Sequence, residues 1–136
     1  MTVGFTCGAF DLLHPGHVHL LEYSKKYYCD ILIVGLHTDP SIDRPDTKNK
    51  PIQTSFERYM QLRACKWVNE IIPYDTEEDL YNLLSVIHYD VRILGSDYEN
   101  KILTGEKLCK NTRYVPRLHK YSSSELRDRI KNDIHS

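Results

Sequence analysis

Two histidines three positions apart, His14 and His17, flank a Pro-Gly pair in the stretch GAFDLLHPGHVHLL, residues 8–21. Imidazoles in that spacing can ligate a metal, with His19 as a third nitrogen. They can also pack as partly exposed helix-start residues, or they can bind phosphate. Pro15 suits the first turn of a helix, where its missing N–H costs nothing. His14 and His17 then stand at a helix N-terminus, beside free backbone N–H groups and the positive end of the dipole. Imidazoles placed there donate hydrogen bonds to a phosphate and strengthen as negative charge builds on it. The metal reading lacks an acid at the usual ligand spacing, so no metal site is expected.

A second start of the same kind lies far down the chain. Ser122, Ser123, Ser124 and Glu125 read as a capping box that opens the last helix. No Ser-His-Asp or Cys-His arrangement accompanies these motifs, so a covalent nucleophile is not expected.

Such residues need a scaffold, and the hydrophobic pattern supplies one. TVGFTC (2–7), DILIVGL (30–36), NEIIPY (69–74), VRILG (91–95) and TRYVP (112–116) read as strands. Between them, residues 16–28, 54–66 and 76–88 carry helical spacing, and Thr54 with Glu57 forms a further capping box. Strands alternating with helices predict a single α/β Rossmann-like domain over 1–136. Its sheet would be open, five-stranded and mostly parallel, with helices on both faces. Ligands in such sheets bind beyond the carboxyl ends of the strands, where the strand order reverses. Gly8 ends the first strand, so GAFDLLHPGH falls at that place. The long polar connection HTDPSIDRPDTKNKPIQ (37–53) has the length of a functional or mobile loop.

Composition narrows the partners. The 136 residues carry 18 Lys and Arg against 19 Asp and Glu, a net charge of -1. That balance argues against a polyanion binder, and no dense basic patch marks a nucleic-acid surface. The strongest apolar run, ILIVGL (31–36), is too short to cross a bilayer, and the start of the chain lacks a secretory pattern. The expected location is the cytoplasm. Cys7, Cys29, Cys65 and Cys109 form no CxxC pair and are expected as reduced thiols.

GAFDLLHPGH resembles the signature of the cytidylyltransferase superfamily, a Gly-x-Phe-Asp run before a His-x-Gly-His. Within it the chain is most similar to the glycerol-3-phosphate cytidylyltransferases, and next to the nucleotidyltransferase domains of ADP-heptose synthesis. The resemblance extends to Lys48 and Lys50, to Glu57-Arg58, to Gly95-Ser96-Asp97-Tyr98, and to Pro116-Arg117 with Tyr121-Ser122-Ser123-Ser124. It implies nucleotidyl transfer: an acceptor phosphate attacks the α-phosphorus of CTP in line and releases pyrophosphate. Positioning and charge stabilisation then carry catalysis, with Mg²⁺ bridging phosphates.

By the same resemblance, His14 and His17 hold the triphosphate and stabilise the transition state. Lys48 or Lys50 swings in from the loop, and Arg117 clamps phosphate. Gly8, Ala9, Phe10, Gly16, Asp97, Tyr121, Ser122, Ser123 and Ser124 surround the nucleotide, with metal support as the alternative for Asp97. Asp11 serves the acceptor or braces the turn, and Arg58 steers phosphate or pairs with a neighbour. The implied acceptor is glycerol 3-phosphate. The alternatives are ATP with a sugar phosphate of the heptose type, CTP with phosphoethanolamine or phosphocholine, or nucleotide binding without turnover. A homodimer is implied as well. Ala9 replaces a hydroxyl residue of the family, Leu118-His119 replaces a Thr-Glu, and Tyr98 stands where tryptophan is frequent.

Overall fold

The structure, a computed structural model, describes residues 1–135, with side chains through Asp133. In chain order the elements are β1 (Val3–Gly8), α1 (Pro15–Tyr27), β2 (Ile31–His37), α2 (Ser55–Ala64) and β3 (Glu70–Tyr74). They continue as α3 (Glu77–Val86), β4 (Val91–Gly95), β5 (Thr112–Val115) and α4 (Ser123–His135). Two single 3₁₀ turns, Ser96–Tyr98 and Glu106–Leu108, lie between β4 and β5.

The sheet runs β3-β2-β1-β4-β5, and every neighbouring pair is parallel. The expected architecture is therefore present, and wholly rather than mostly parallel. β1 pairs with β2 from Val3↔Ile31 to Gly8↔Leu36, and with β4 at Phe5↔Arg92. The chain winds outward through β1, β2 and β3, then crosses back to β4. Strand order thus reverses between β1 and β4, and a crevice opens there at the carboxyl ends.

Alternation along the strands divides the core into two layers. Leu32, Val34, Leu36, Val91 and Ile93 face one way and pack with Leu21 of α1 and Leu62 of α2. Phe5, Ile33 and Tyr74 face the other way and pack with Leu80 and Leu84 of α3. β2 is buried on both faces, which is why ILIVGL reads as one continuous apolar run.

The helices begin where their caps place them. Thr54 Oγ1 accepts from Glu57 N while the Glu57 carboxylate accepts from Thr54 N, and Thr76 and Asp79 repeat the exchange on α3. At α4 only half of the expected box forms. Ser122 Oγ accepts from Glu125 N, but the Glu125 carboxylate turns to Arg129 at 3.6 Å. All four cysteines are free. Among the described residues no helix is long and apolar enough to cross a membrane.

Candidate active site

Between β1 and α1 the backbone takes an uncommon path. Phe10 and Leu12 both have positive φ, 50° and 53°, a region that bulky side chains avoid. Asp11 lies between them, 6% exposed, and holds the turn in place. Its carboxylate accepts from Ile52 N at 2.8 Å and Gln53 N at 3.0 Å, and pairs with Arg127 at 2.9 Å. Its carbonyl accepts from Ser123 Oγ, and Gln53 Oε1 accepts from Leu12 N. One carboxylate thus ties together the β1–α1 turn, the end of the long loop and the start of α4. Of the two roles expected for Asp11, this is the brace.

His14 caps α1, and His17 is its third residue. His14 Nδ1 accepts from Gly16 N at 3.0 Å, and His17 Nδ1 accepts from His14 N at 3.3 Å. The two imidazoles therefore fill the capping positions that a serine and a glutamate fill elsewhere. With both Nδ1 atoms accepting, each neutral ring carries its proton on Nε2. The rings stack with centroids 3.8 Å apart, and Phe10 lies against His17. Gly16 permits this. A Cβ there would meet His14 Cε1 and His119 Cε1, each at 2.8 Å.

Burial pushes the His17 pKa down from its ordinary 6.5 to about 3, with further lowering from His14; burial lowers His14 as well. The pair is neutral at pH 7 and offers two N–H donors. This makes a prediction about stability. Unfolded His17 takes up a proton near pH 6.5, whereas folded His17 takes it up only near pH 3. Stability is full above pH 6.5 and falls as the pH drops from 6.5 toward 3, by at most about 1.4 kcal/mol per unit for this proton. Urea unfolding at pH 7, 6 and 5 should show the decline, and His17→Asn should flatten it. Equal slopes in both proteins would refute the buried neutral imidazole.

These residues line a cleft of about 830 Å³ at the β1/β4 crevice, within the ordinary size of small-molecule sites. Gly8, Ala9 and Phe10 form its floor beside the histidines. Beside them stand Arg117, Tyr121, Ser122 and Ser123, beyond the end of β5, with Ser123 hydrogen-bonded to the Asp11 carbonyl and His119 against Gly16. Arg117 pairs with Asp97 at 3.1 Å and donates to the Tyr121 carbonyl at 3.0 Å. Leu118 is exposed, whereas His119 lines the cleft, packing edge-on to His19 and stacking on Tyr121.

Three expected residues are placed elsewhere. Arg58 is buried and its donors are spent within the fold. They go to the carbonyls of Gln53, Ala9, His37 and Thr38 and to Ser55 Oγ. It clamps both ends of the long loop instead of reaching substrate phosphate, because α2 starts directly beneath that loop. Lys48 lines the cleft; Lys50 does not, and its carbonyl accepts from Arg127. Ser124 also lies outside the lining.

No shared metal group forms from His14, His17 and His19; His19 Nε2 instead lies 3.3 Å from the Pro116 carbonyl. The fold does gather His37, Asp43 and Glu77, with ligand atoms within 4.8 Å of one another, which no local spacing announces. Arg44 pairs with Glu77, and Asp43 accepts from Glu77 N, so both carboxylates already have partners.

The sequence profile of cytidylyltransferase-like proteins matches residues 5–129. The chain belongs to the cytidylyltransferase-like family. Curated relatives include the bifunctional protein HldE of Sulfurimonas denitrificans, 33% identical over 98% of this chain and 28% of the relative. HldE of Wolinella succinogenes is 37% identical over 93% of this chain and 26% of the relative. This chain thus spans about a quarter of the length of these relatives. Among solved structures, the lipopolysaccharide core biosynthesis protein of Thermoplasma volcanium superposes with a TM-score of 0.66. It is 28% identical, and the match covers 90% of this chain and 99% of that one. Pantoate-beta-alanine ligase of Francisella tularensis, at 15% identity and a TM-score of 0.56, shares the fold. The family membership makes this chain a member of the nucleotidyltransferase superfamily.

Sequence reasoning missed the far wall of the cleft. His37, Tyr74, Glu77, Arg92 and Thr104 line it, drawn from β2, β3, α3, β4 and the β4–β5 connection. One signal was available: Arg92 is a charge inside the apolar run VRILG, where a buried strand position has no water to solvate it.

Proposed function

We propose that the chain joins the nucleoside monophosphate of ATP to a sugar phosphate of the heptose type and releases pyrophosphate. The observation that carries nucleotidyl transfer is the stacked, neutral His14–His17 pair, two Nε2–H donors at a helix N-terminus that share one cleft with a second helix start at Ser122. The choice of ATP and a sugar phosphate over CTP and glycerol 3-phosphate rests on the relatives, which carry the name HldE, and on the likeness to a lipopolysaccharide core protein.

In this reading an oxygen of the acceptor phosphate attacks the α-phosphorus in line. The new P–O bond forms as the bond to the bridging oxygen breaks, and pyrophosphate leaves with that electron pair. The attacking oxygen is already anionic, so no side chain serves as base. His14 and His17 donate to the α-phosphoryl oxygens, where charge builds. Ser123 Oγ spends its proton on the Asp11 carbonyl, whereas Ser122 Oγ only accepts from Glu125 N and keeps its O–H free. The Ser122 hydroxyl and the Ser123 amide at the start of α4 are thus the donors for the leaving phosphates. Arg117 exchanges Asp97 for phosphate, and Lys48 adds charge from the loop.

The cleft's carboxylates fit Mg²⁺ that arrives with the triphosphate better than a resident ion. Asp11, Asp97 and Glu77 each already pair with an arginine, and Mg²⁺ is commonly held through phosphate and water. When bound, it neutralises charge on the β- and γ-phosphates. The implied homodimer belongs to this proposal too, with the exposed Phe56 and Met60 of α2 as apolar surface for a second copy.

A pyrophosphate-release assay with ATP and CTP against sugar phosphates, glycerol 3-phosphate and phosphocholine tests the reading. Turnover with ATP and a sugar phosphate is expected. Turnover with CTP alone would return the cytidylyl reading, and nucleotide binding without product would make the chain a binding module.

A further inference from the structure

Arg92 stands on the α3 side of the sheet and is 3% exposed. Its Nη1 donates to the Thr104 carbonyl, and its Nε is buried with no acceptor among the described residues. No carboxylate among the described residues pairs with it; Glu77, also in the cleft lining, is held by Arg44 and accepts from Thr104 Oγ1. Its other neighbours are the Cys7 thiol and, through that thiol, the Tyr74 hydroxyl. Burial raises the pKa of both, so neither offers a negative charge. A guanidinium is thus kept charged in the cleft wall without a counter-ion. An unpaired buried charge is strongly unfavourable, and such an orphan calls for an explanation.

The placement of this wall supplies one. His14, His17, Arg117 and Ser122 occupy the side of the cleft assigned above to the nucleotide. The part of the lining around Arg92, on the α3 side of the sheet, is left for the body of the acceptor. We propose that Arg92 determines acceptor specificity: it takes oxygen atoms of a polyhydroxylated acceptor and bars acceptors with a cationic tail. Hydroxyl groups both donate and accept, and this wall offers both: Arg92 donates, and the Glu77 carboxylate keeps lone pairs beyond those given to Arg44 and Thr104. A quaternary ammonium would meet a like charge in a site that excludes water, where repulsion is least screened. Phosphocholine and phosphoethanolamine are therefore the acceptors this chain rejects.

This inference rests on the proposed transfer reaction, so the test separates the two. Calorimetry measures binding of a sugar 1-phosphate and of ATP, each alone, to the wild type, Arg92→Met, Arg92→Gln and Arg92→Lys. Pyrophosphate release with the acceptor panel is followed in parallel. Arg92→Met should weaken sugar-phosphate binding at least about tenfold, leave ATP binding within about twofold, and lower discrimination against phosphocholine. Arg92→Lys, which keeps the charge, should retain most of the wild-type selectivity. Should Arg92→Met fail to fold, Arg92→Gln keeps a donor for Thr104 and reads the same constants. Unchanged sugar-phosphate binding, a parallel loss of ATP binding, or wild-type turnover of phosphocholine would overturn the assignment. So would wild-type protein that binds no sugar phosphate. Failure to bind ATP would remove the transfer reading, while the sugar-phosphate titration would still decide the role of Arg92.

Discussion

Replacing His17 by alanine should lower kcat for nucleotidyl transfer by about 10²–10³-fold, the usual loss when one preorganised donor to a developing charge is removed. His17 has two functions that this substitution would confound. Its Nδ1 accepts from His14 N and helps cap α1, and its Nε2–H faces the cleft chemistry. Loss of a cap alone costs about 1 kcal/mol. His17→Asn separates them, because the asparagine amide sits where Nδ1 was and can still accept, but does not reach the Nε2 position. Its urea midpoint should stay near wild type while kcat falls as far as in alanine. His17→Gln, which restores a donor near Nε2, should recover part of the rate. A loss of less than about tenfold in a folded His17→Asn protein would remove His17 from the transition state. The stacked His14 ring, itself neutral at pH 7, should respond in the same direction.

The second large effect is expected at a residue that touches no substrate. Arg58→Met should destabilise the protein by about 3–5 kcal/mol, since several buried carbonyls lose their donor at about 1–3 kcal/mol each and water recovers part of the loss. Arg58→Lys should rescue little, because one ammonium cannot span carbonyls that a planar fork reaches together. The same substitution releases both ends of the loop at 37–53, which carries Lys48 into the cleft. Variants assayed below their unfolding transition should show a raised KM. A change in stability within about 1 kcal/mol of wild type, read from urea unfolding, would contradict the clamp.

The two predictions also mark where sequence is informative. His14 and His17 were legible because helix capping and a three-residue spacing are local: the same few residues that choose the helix start also aim the rings. Ser122 was legible for the same reason. The strands and their parallel arrangement followed from apolar runs separated by helical periods, which the hydrophobic effect reads without knowledge of neighbours. Arg58 was not legible as a clamp, because its acceptor at Ala9 lies 49 residues away and the one at His37 lies 21 away. Asp11 is an intermediate case. A brace was conceivable from its place in a turn, but its partners Ile52, Gln53 and Arg127 come from distant parts of the chain.

The sequence by itself therefore determined a parallel α/β domain and two helix starts suited to phosphate, since both rest on interactions within a few residues. The tertiary structure decided the rest: that Lys48 and not Lys50 lines the cleft, that Arg58 is spent on backbone carbonyls, and that Arg92 Nε is buried in the cleft wall with no acceptor among the described residues. Those outcomes depend on where carbonyls and carboxylates from remote segments converge, and only the packing of the sheet and its crossovers fixes that.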